Sequence, residues 1–80
     1  MEKIFTEADI LKAKDLYLFD GGILYLIDQN GEAYSFCQGR TAWFHKDNFW
    51  DYFDSRMMMP YLSVPTKEEA VLMYRKRTNQ

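Results

Sequence analysis

The stretch Ile23-Leu24-Tyr25-Leu26-Ile27-Asp28-Gln29-Asn30-Gly31-Glu32-Ala33-Tyr34-Ser35-Phe36-Cys37 decides the fold. Two apolar, strand-length runs flank a polar centre, and Asn-Gly between such runs is the strongest short-range hairpin signal. Both central residues of a two-residue turn of this kind need positive φ, which Asn and Gly tolerate best. With Asn30-Gly31 as the turn centre, Ile27 faces Tyr34 and Tyr25 faces Phe36, while Leu26 faces Ser35 and Leu24 faces Cys37. The first two pairs make one strongly apolar face; the second face mixes leucine with small residues. Helices are expected to cover at least one of them.

Upstream, Leu16-Tyr17-Leu18-Phe19 before Asp20-Gly21-Gly22 reads as a further strand, or an extended connection, leading into a tight turn. Before it lies a short helix. Thr6 suits its N-cap, Asp9 falls at N3, and Phe5 and Ile10 have the spacing of a hydrophobic staple. This helix is expected to end near Lys14 or Asp15 and to bury Ile10, Leu11 and Ala13.

Downstream, residues 38–46 read as a loop and residues 47–58 as a helix. At roughly 100° per residue, Phe49, Trp50, Phe53 and Met57 fall on one side of that helix and Asp47, Asp51 and Asp54 on the other. Met57-Met58-Met59-Pro60 ends it, because the residue before proline avoids the α region. Tyr61 to Pro65 is an extended connector or short strand. Thr66-Lys67-Glu68-Glu69 is a full capping box, so a last helix runs from 67 to about 77 and buries Ala70, Val71 and Tyr74, with Met73 at the flank. The expected class is α+β: a short N-terminal helix, an antiparallel β-hairpin or three-stranded meander, then two C-terminal helices packed on the sheet. Residues 1–80 form a single domain in this reading.

Composition narrows the function classes. The chain has 80 residues, 48% of them apolar, with 10 Lys+Arg against 12 Asp+Glu. Its 6 Phe, 6 Tyr and 2 Trp each bury roughly 150–250 Å² when enclosed, more than so small a core can hold. Some Tyr and Trp are therefore expected at the surface, where large apolar patches mark interaction sites. One cysteine and one histidine exclude an internal disulfide and a Cys/His zinc cluster. A net charge of −2 argues against bulk attraction to nucleic acid. No apolar run approaches the roughly 20 residues of a membrane span, and Met1 to Lys14 alternates charges where a signal peptide is apolar. The expected location is cytoplasmic.

No residue pattern names a reaction. Cys37 and His45 lack the activating and orienting partners of a nucleophile–base pair, so Cys37 reads as a small buried residue and His45 as a packing or capping one. Asp47, Asp51 and Asp54 lack the further oxygen ligands of a cation site and read as a solvated face, or as acids that meet a basic partner. Asp20-Gly21-Gly22 lacks the spacing and following helix of a phosphate loop. The expectation is a non-enzyme with no cofactor and no metal.

Trp43, Phe44, Trp50, Met57-Met58-Met59 and Tyr61 are the most informative group, since Met and aromatics are enriched at protein interfaces. Trp43, Trp50, Met58 and Tyr61 are the candidate anchors of a protein partner, and Asp51 and Asp54 the steering charges. The leading reading is a small protein-binding module that occludes a partner surface. In size, acidity and aromatic content it resembles inhibitors from phages and mobile elements of the anti-defence or host-takeover type. One alternative is a nucleic-acid-associated regulator using Arg75, Lys76 and Arg77 with Lys67; the net charge and an angular spread of about 200° disfavour it. The other alternative is a homo-oligomeric structural domain, such as a homodimer.

Overall fold

A computed structural model describes residues 2–37, 42–53 and 58–78. One antiparallel sheet runs through its middle. In chain order the strands are β1 (Glu2–Lys3), β2 (Asp15–Phe19), β3 (Ile23–Ile27), β4 (Ala33–Cys37), β5 (Trp43–His45) and β6 (Leu62–Ser63). In space they lie β1-β5-β4-β3-β2-β6. The helices are α1 (Glu7–Leu11), α2 (Phe49–Phe53) and α3 (Lys67–Thr78), with a 3-10 turn at Met59–Tyr61. The α+β class is that expected, but the sheet is larger: the run Trp43–His45, expected in a loop, is a strand, and two-residue strands extend both edges. The expected loop residues 38–41 lie outside the described residues, as do 54–57 of the expected helix 47–58.

The central hairpin forms one register away from the expected one. Ile27 pairs with Ala33, Leu26 with Tyr34, Tyr25 with Ser35, Leu24 with Phe36 and Ile23 with Cys37. The cause is the turn. Asp28 N–H donates to the Glu32 carbonyl at 3.0 Å, and Gly31 N–H to the Asp28 carbonyl at 3.0 Å. The Asp28 carboxylate accepts from the N–H groups of Asn30 and Glu32, each at 2.9 Å. Gly31 has φ 83°, whereas Asn30 is not in the left-handed region. This is a three-residue loop, a type I turn followed by one left-handed glycine, and not a two-residue mirror-image turn. The mirror-image geometry occurs one hairpin earlier, where Asp20 and Gly21 have φ 51° and 71° and Gly22 N–H donates to the Phe19 carbonyl.

Because side chains alternate between faces, the slip changes which residues share a face. Leu16, Leu24, Leu26, Phe36 and Trp43 pack on one side with Phe5, Ile10, Ala13, Ala70 and Val71, under α1 and α3. Ile27, Ala33 and Phe49 pack on the other with Tyr17, Tyr25, Phe53 and Met58, under α2. The two C-terminal helices therefore cover opposite faces of the sheet. Fully burying a Leu or Phe contributes roughly 1.5–3 kcal/mol, so the α1/α3 side holds most of the core energy.

Local chemistry seats the helices. At α1, the Asp9 carboxylate accepts from Thr6 N–H at 2.7 Å and from the Thr6 hydroxyl at 3.1 Å. The helix stops at Leu11, earlier than expected, and Leu11 is exposed although expected to be buried. Its last carbonyls are then satisfied from elsewhere: Lys67 Nζ donates to those of Leu11 and Ala13, and Gln29 to that of Lys12 at 2.7 Å. At α3 the capping box forms in both directions: Glu69 N–H donates to Thr66 Oγ1 at 3.0 Å, and Thr66 N–H to the Glu69 carboxylate at 2.8 Å. Tyr74 donates its hydroxyl proton to the Phe5 carbonyl at 2.6 Å.

The C-terminal cations are not a solvated tail. Arg75 forms a two-pronged pair with Glu7, both contacts at 2.8 Å, which holds the Glu7 carboxyl below its ordinary value. The Arg77 guanidinium donates to the carbonyls of Phe36 at 2.8 Å and Gly22 at 2.9 Å, and lies over the Phe36 ring. These bonds fasten the end of α3 to two separate parts of the sheet. Arg77→Ala should lower stability by about 1.5–3 kcal/mol in urea denaturation, the range for hydrogen bonds to a charged group. Arg77→Lys should recover less than half of that, because an ammonium does not reproduce the planar fork. An unchanged midpoint in Arg77→Ala would refute the fastening role.

Candidate functional site

Among the described residues the exposed aromatic side chains lie on α2 and the 3-10 turn. Five residues of helix and one 3-10 turn are the described cover on the α2 side of the sheet. Phe49 is buried, tilted against Tyr25 at 4.8 Å, and Phe53 meets Tyr17 edge-on at 5.0 Å. Packing of these rings leaves their neighbours outside. Trp50 is 46% exposed, Tyr52 57%, Met59 48% and Tyr61 55%. The Trp50 ring rests on Phe49 and Phe53 at 5.0 and 5.1 Å, and Tyr61 leans on Phe19 at 6.0 Å. Tyr17 and Phe19 are two apart on β2 and share the α2 face of the sheet, so they carry this aromatic surface from α2 to Tyr61.

Two polar ties hold it. Trp50 Nε1–H donates to the Gly31 carbonyl at 2.8 Å, joining α2 to the β3–β4 turn. Tyr61 accepts the Asp20 N–H through its carbonyl at 2.8 Å, joining the 3-10 turn to the β2–β3 turn. Burial raises the Tyr17 phenol pKa, with the Asp15 carboxylate adding to the effect.

His45 lies next to this surface and links its two supports. Nε2 meets Glu32 Oε1 at 2.5 Å, and Nδ1 meets Asp47 Oδ1 at 2.5 Å. The hydrogen bond to Glu32 is the largest cause holding the imidazole above its ordinary value of 6.5; Asp47 adds to it, and partial desolvation opposes it. Sequence reading placed His45 before a helix as a packing or capping residue. The structure makes it a bridge between carboxylates from two segments.

Of the six residues expected to meet a partner, Trp50, Asp51 and Tyr61 are exposed on this side. Trp43 is corrected. It is 0% exposed, wedged between Phe36 at 4.8 Å and Phe5 at 5.3 Å, and is a core residue rather than an anchor. Met58 is half-buried and packs against the Ile27–Ala33–Phe49 cluster, so it is only partly available at the surface. Asp54 lies outside the described residues. Asp47 precedes α2 and is engaged with His45, so it does not belong to a helical acidic stripe. Met59 belonged to the methionine group expected at an interface, though not to the named anchors, and Tyr52, on the flank of α2 next to Asp51, was missed.

Cys37 and His45 lie apart along the sheet. Tyr34 pairs with His45, and Cys37 is three residues further along β4, about 10 Å away on a strand. Among the described residues no group of three or more His, Cys, Asp or Glu is placed to hold a metal ion, and no helix is long and apolar enough to cross a membrane. A second exposed apolar feature lies across the sheet, a groove of about 340 Å³ between α1 and α3 lined by Leu11, Val71 and Leu72 and bridged by the Glu7–Arg75 pair. Comparison with protein-family models, with curated proteins and with solved structures returns no match for this chain.

The Trp50–Gly31 bond has a separable energetic role. Trp50→Phe keeps a ring on Phe49 and Phe53 but removes the donor. It should cost about 1 kcal/mol, read as a lower urea midpoint with the fold intact by circular dichroism. A midpoint equal to that of the parent would show that the indole N–H contributes nothing.

Proposed function

We propose that this protein is a non-enzymatic binding module whose α2 side docks on another protein and occludes the surface it covers. The observation that carries the reading is that the exposed aromatics among the described residues, Trp50, Tyr52 and Tyr61, together with Met59, lie on α2 and the 3-10 turn. Trp and Tyr bring large contact area at small entropic cost, and Met adapts to irregular partner surfaces. Asp51, exposed beside Trp50, adds charge at the rim, where it acts on encounter rate and orientation. Occlusion of this kind suits an inhibitor of the phage or mobile-element type.

The rival readings lose support for specific reasons. A nucleic-acid regulator would use the end of α3, but Arg75 is paired with Glu7 and Arg77 is engaged with two backbone carbonyls. A homodimer through sheet edges meets short outer strands: β1 and β6 have two residues each, and Pro65 lies just past β6.

The test uses tagged protein on lysate of the source cell with nuclease present. Tyr52→Ser with Tyr61→Ser should fold normally and lose more than about tenfold of partner capture, as truncation of two interface aromatics does. Leu72→Ser, on the opposite side of the sheet, should capture as the parent does. Equal capture by the double variant, or loss only in Leu72→Ser, would overturn the assignment of the surface. Light scattering that shows a dimer dissolved by the double substitution would replace the external partner with a second copy.

A further inference from the structure

We infer that the Glu32–His45–Asp47 bridge is a pH-sensitive latch that fixes α2, and with it the Trp50 surface, against the β3–β4 turn. The inference rests on the reading of that surface as the binding surface and adds its regulation. Glu32 ends the β3–β4 turn, His45 ends β5, and Asp47 lies in the connection to α2. The same turn supplies the Gly31 carbonyl that holds Trp50. A helix of one to three turns is marginal alone, so the seat of α2, described over Phe49–Phe53, depends on such ties together with the buried Phe49 and the Lys46 N–H bond to the Ala33 carbonyl.

An imidazole between two carboxylates satisfies both only as the cation, when each ring nitrogen donates a proton. Once neutral, it donates to one carboxylate and turns a lone pair toward the other, so one of the two contacts at 2.5 Å becomes repulsive. The two carboxylates are then left without the positive charge between them. Among the described residues, the groups around the ring are Glu32 from the turn, Asp47 from the connection and the Tyr34 ring from β4 at 5.1 Å; Lys46 follows it in the chain with an exposed side chain. Glu32 and Asp47 favour the cation, and none of these groups is a cation set against it within hydrogen-bond reach.

The sign follows. The folded pKa of His45 lies above the unfolded value of 6.5, so the stability the bridge adds is complete below pH 6.5 and is lost as pH rises through the folded value. The latch is closed in mildly acidic solution and opens on the alkaline side.

The experiment is a proton–nitrogen NMR titration of the free 80-residue chain from about pH 5 to about pH 9, following the His45 ring, the Trp50 indole N–H and the Asp51 amide. His45 should titrate above 6.5, and the Trp50 and Asp51 signals should shift with the same midpoint. Glu32→Gln, on an exposed side chain, should lower the midpoint of all three together; His45→Gln should abolish the shift at Trp50. A Trp50 indole that stays still while His45 titrates would overturn the latch, as would a His45 midpoint at or below 6.5 or one unmoved in Glu32→Gln. No partner enters this titration, so its failure leaves the capture result standing, and failure of capture by the parent surface leaves the titration standing.

Discussion

The left-handed Gly31 at the end of a three-residue turn is the constraint on which the rest of the molecule depends. It sets the β3–β4 register, and register sets parity. Because of it Leu24, Leu26, Tyr34 and Phe36 share a face with Leu16 and Trp43, and Tyr25, Ile27 and Ala33 share the other with Tyr17. A two-residue turn at the same place would send Tyr34 and Phe36 to the α2 side and strip the α1/α3 core of two rings. The Asp28 carboxylate, which accepts two N–H groups inside the loop, supports the longer turn over the shorter one.

Parity then explains an unequal molecule. One face is closed by α1 and the twelve-residue α3, fastened at both ends by Lys67 and Arg77. The other carries, among the described residues, α2 over Phe49–Phe53 and a 3-10 turn, whose rings brace each other and leave Trp50, Tyr52, Met59 and Tyr61 in solvent. Exposed apolar area of this kind is normally removed by burial unless something covers it. The short edge strands show the opposite treatment: there the chain avoids offering a surface. The contrast between guarded edges and an open aromatic side is what favours docking through the α2 side.

Much of this was legible in the residues. Asn30-Gly31 signalled a hairpin, the Thr66–Glu69 capping box placed α3, and Thr6 and Asp9 placed the start of α1. The register was not legible, because Asn-Gly also fits a type I turn followed by a left-handed glycine, and the choice between them lies in the bonds Asp28 makes. Trp43-Phe44-His45 was too short to show alternation, so a strand passed as loop and a core tryptophan as a surface one. The aromatic surface was anticipated as a group, through Trp50, Met59 and Tyr61, but Tyr52 needed the packed helix. Arg77 carried no local signal, since its partners are 41 and 55 residues away in the chain, and of the two partners of His45 only Asp47 is near in sequence while Glu32 is 13 residues away.

Hydroxyl-radical footprinting of the dilute protein, read by mass spectrometry, tests the central claim most directly. The account predicts rapid modification at Trp50, Tyr52, Met59 and Tyr61 and protection of Trp43. Modification of Trp43 as fast as Trp50, or protection of all four surface residues in the free monomer, would contradict it.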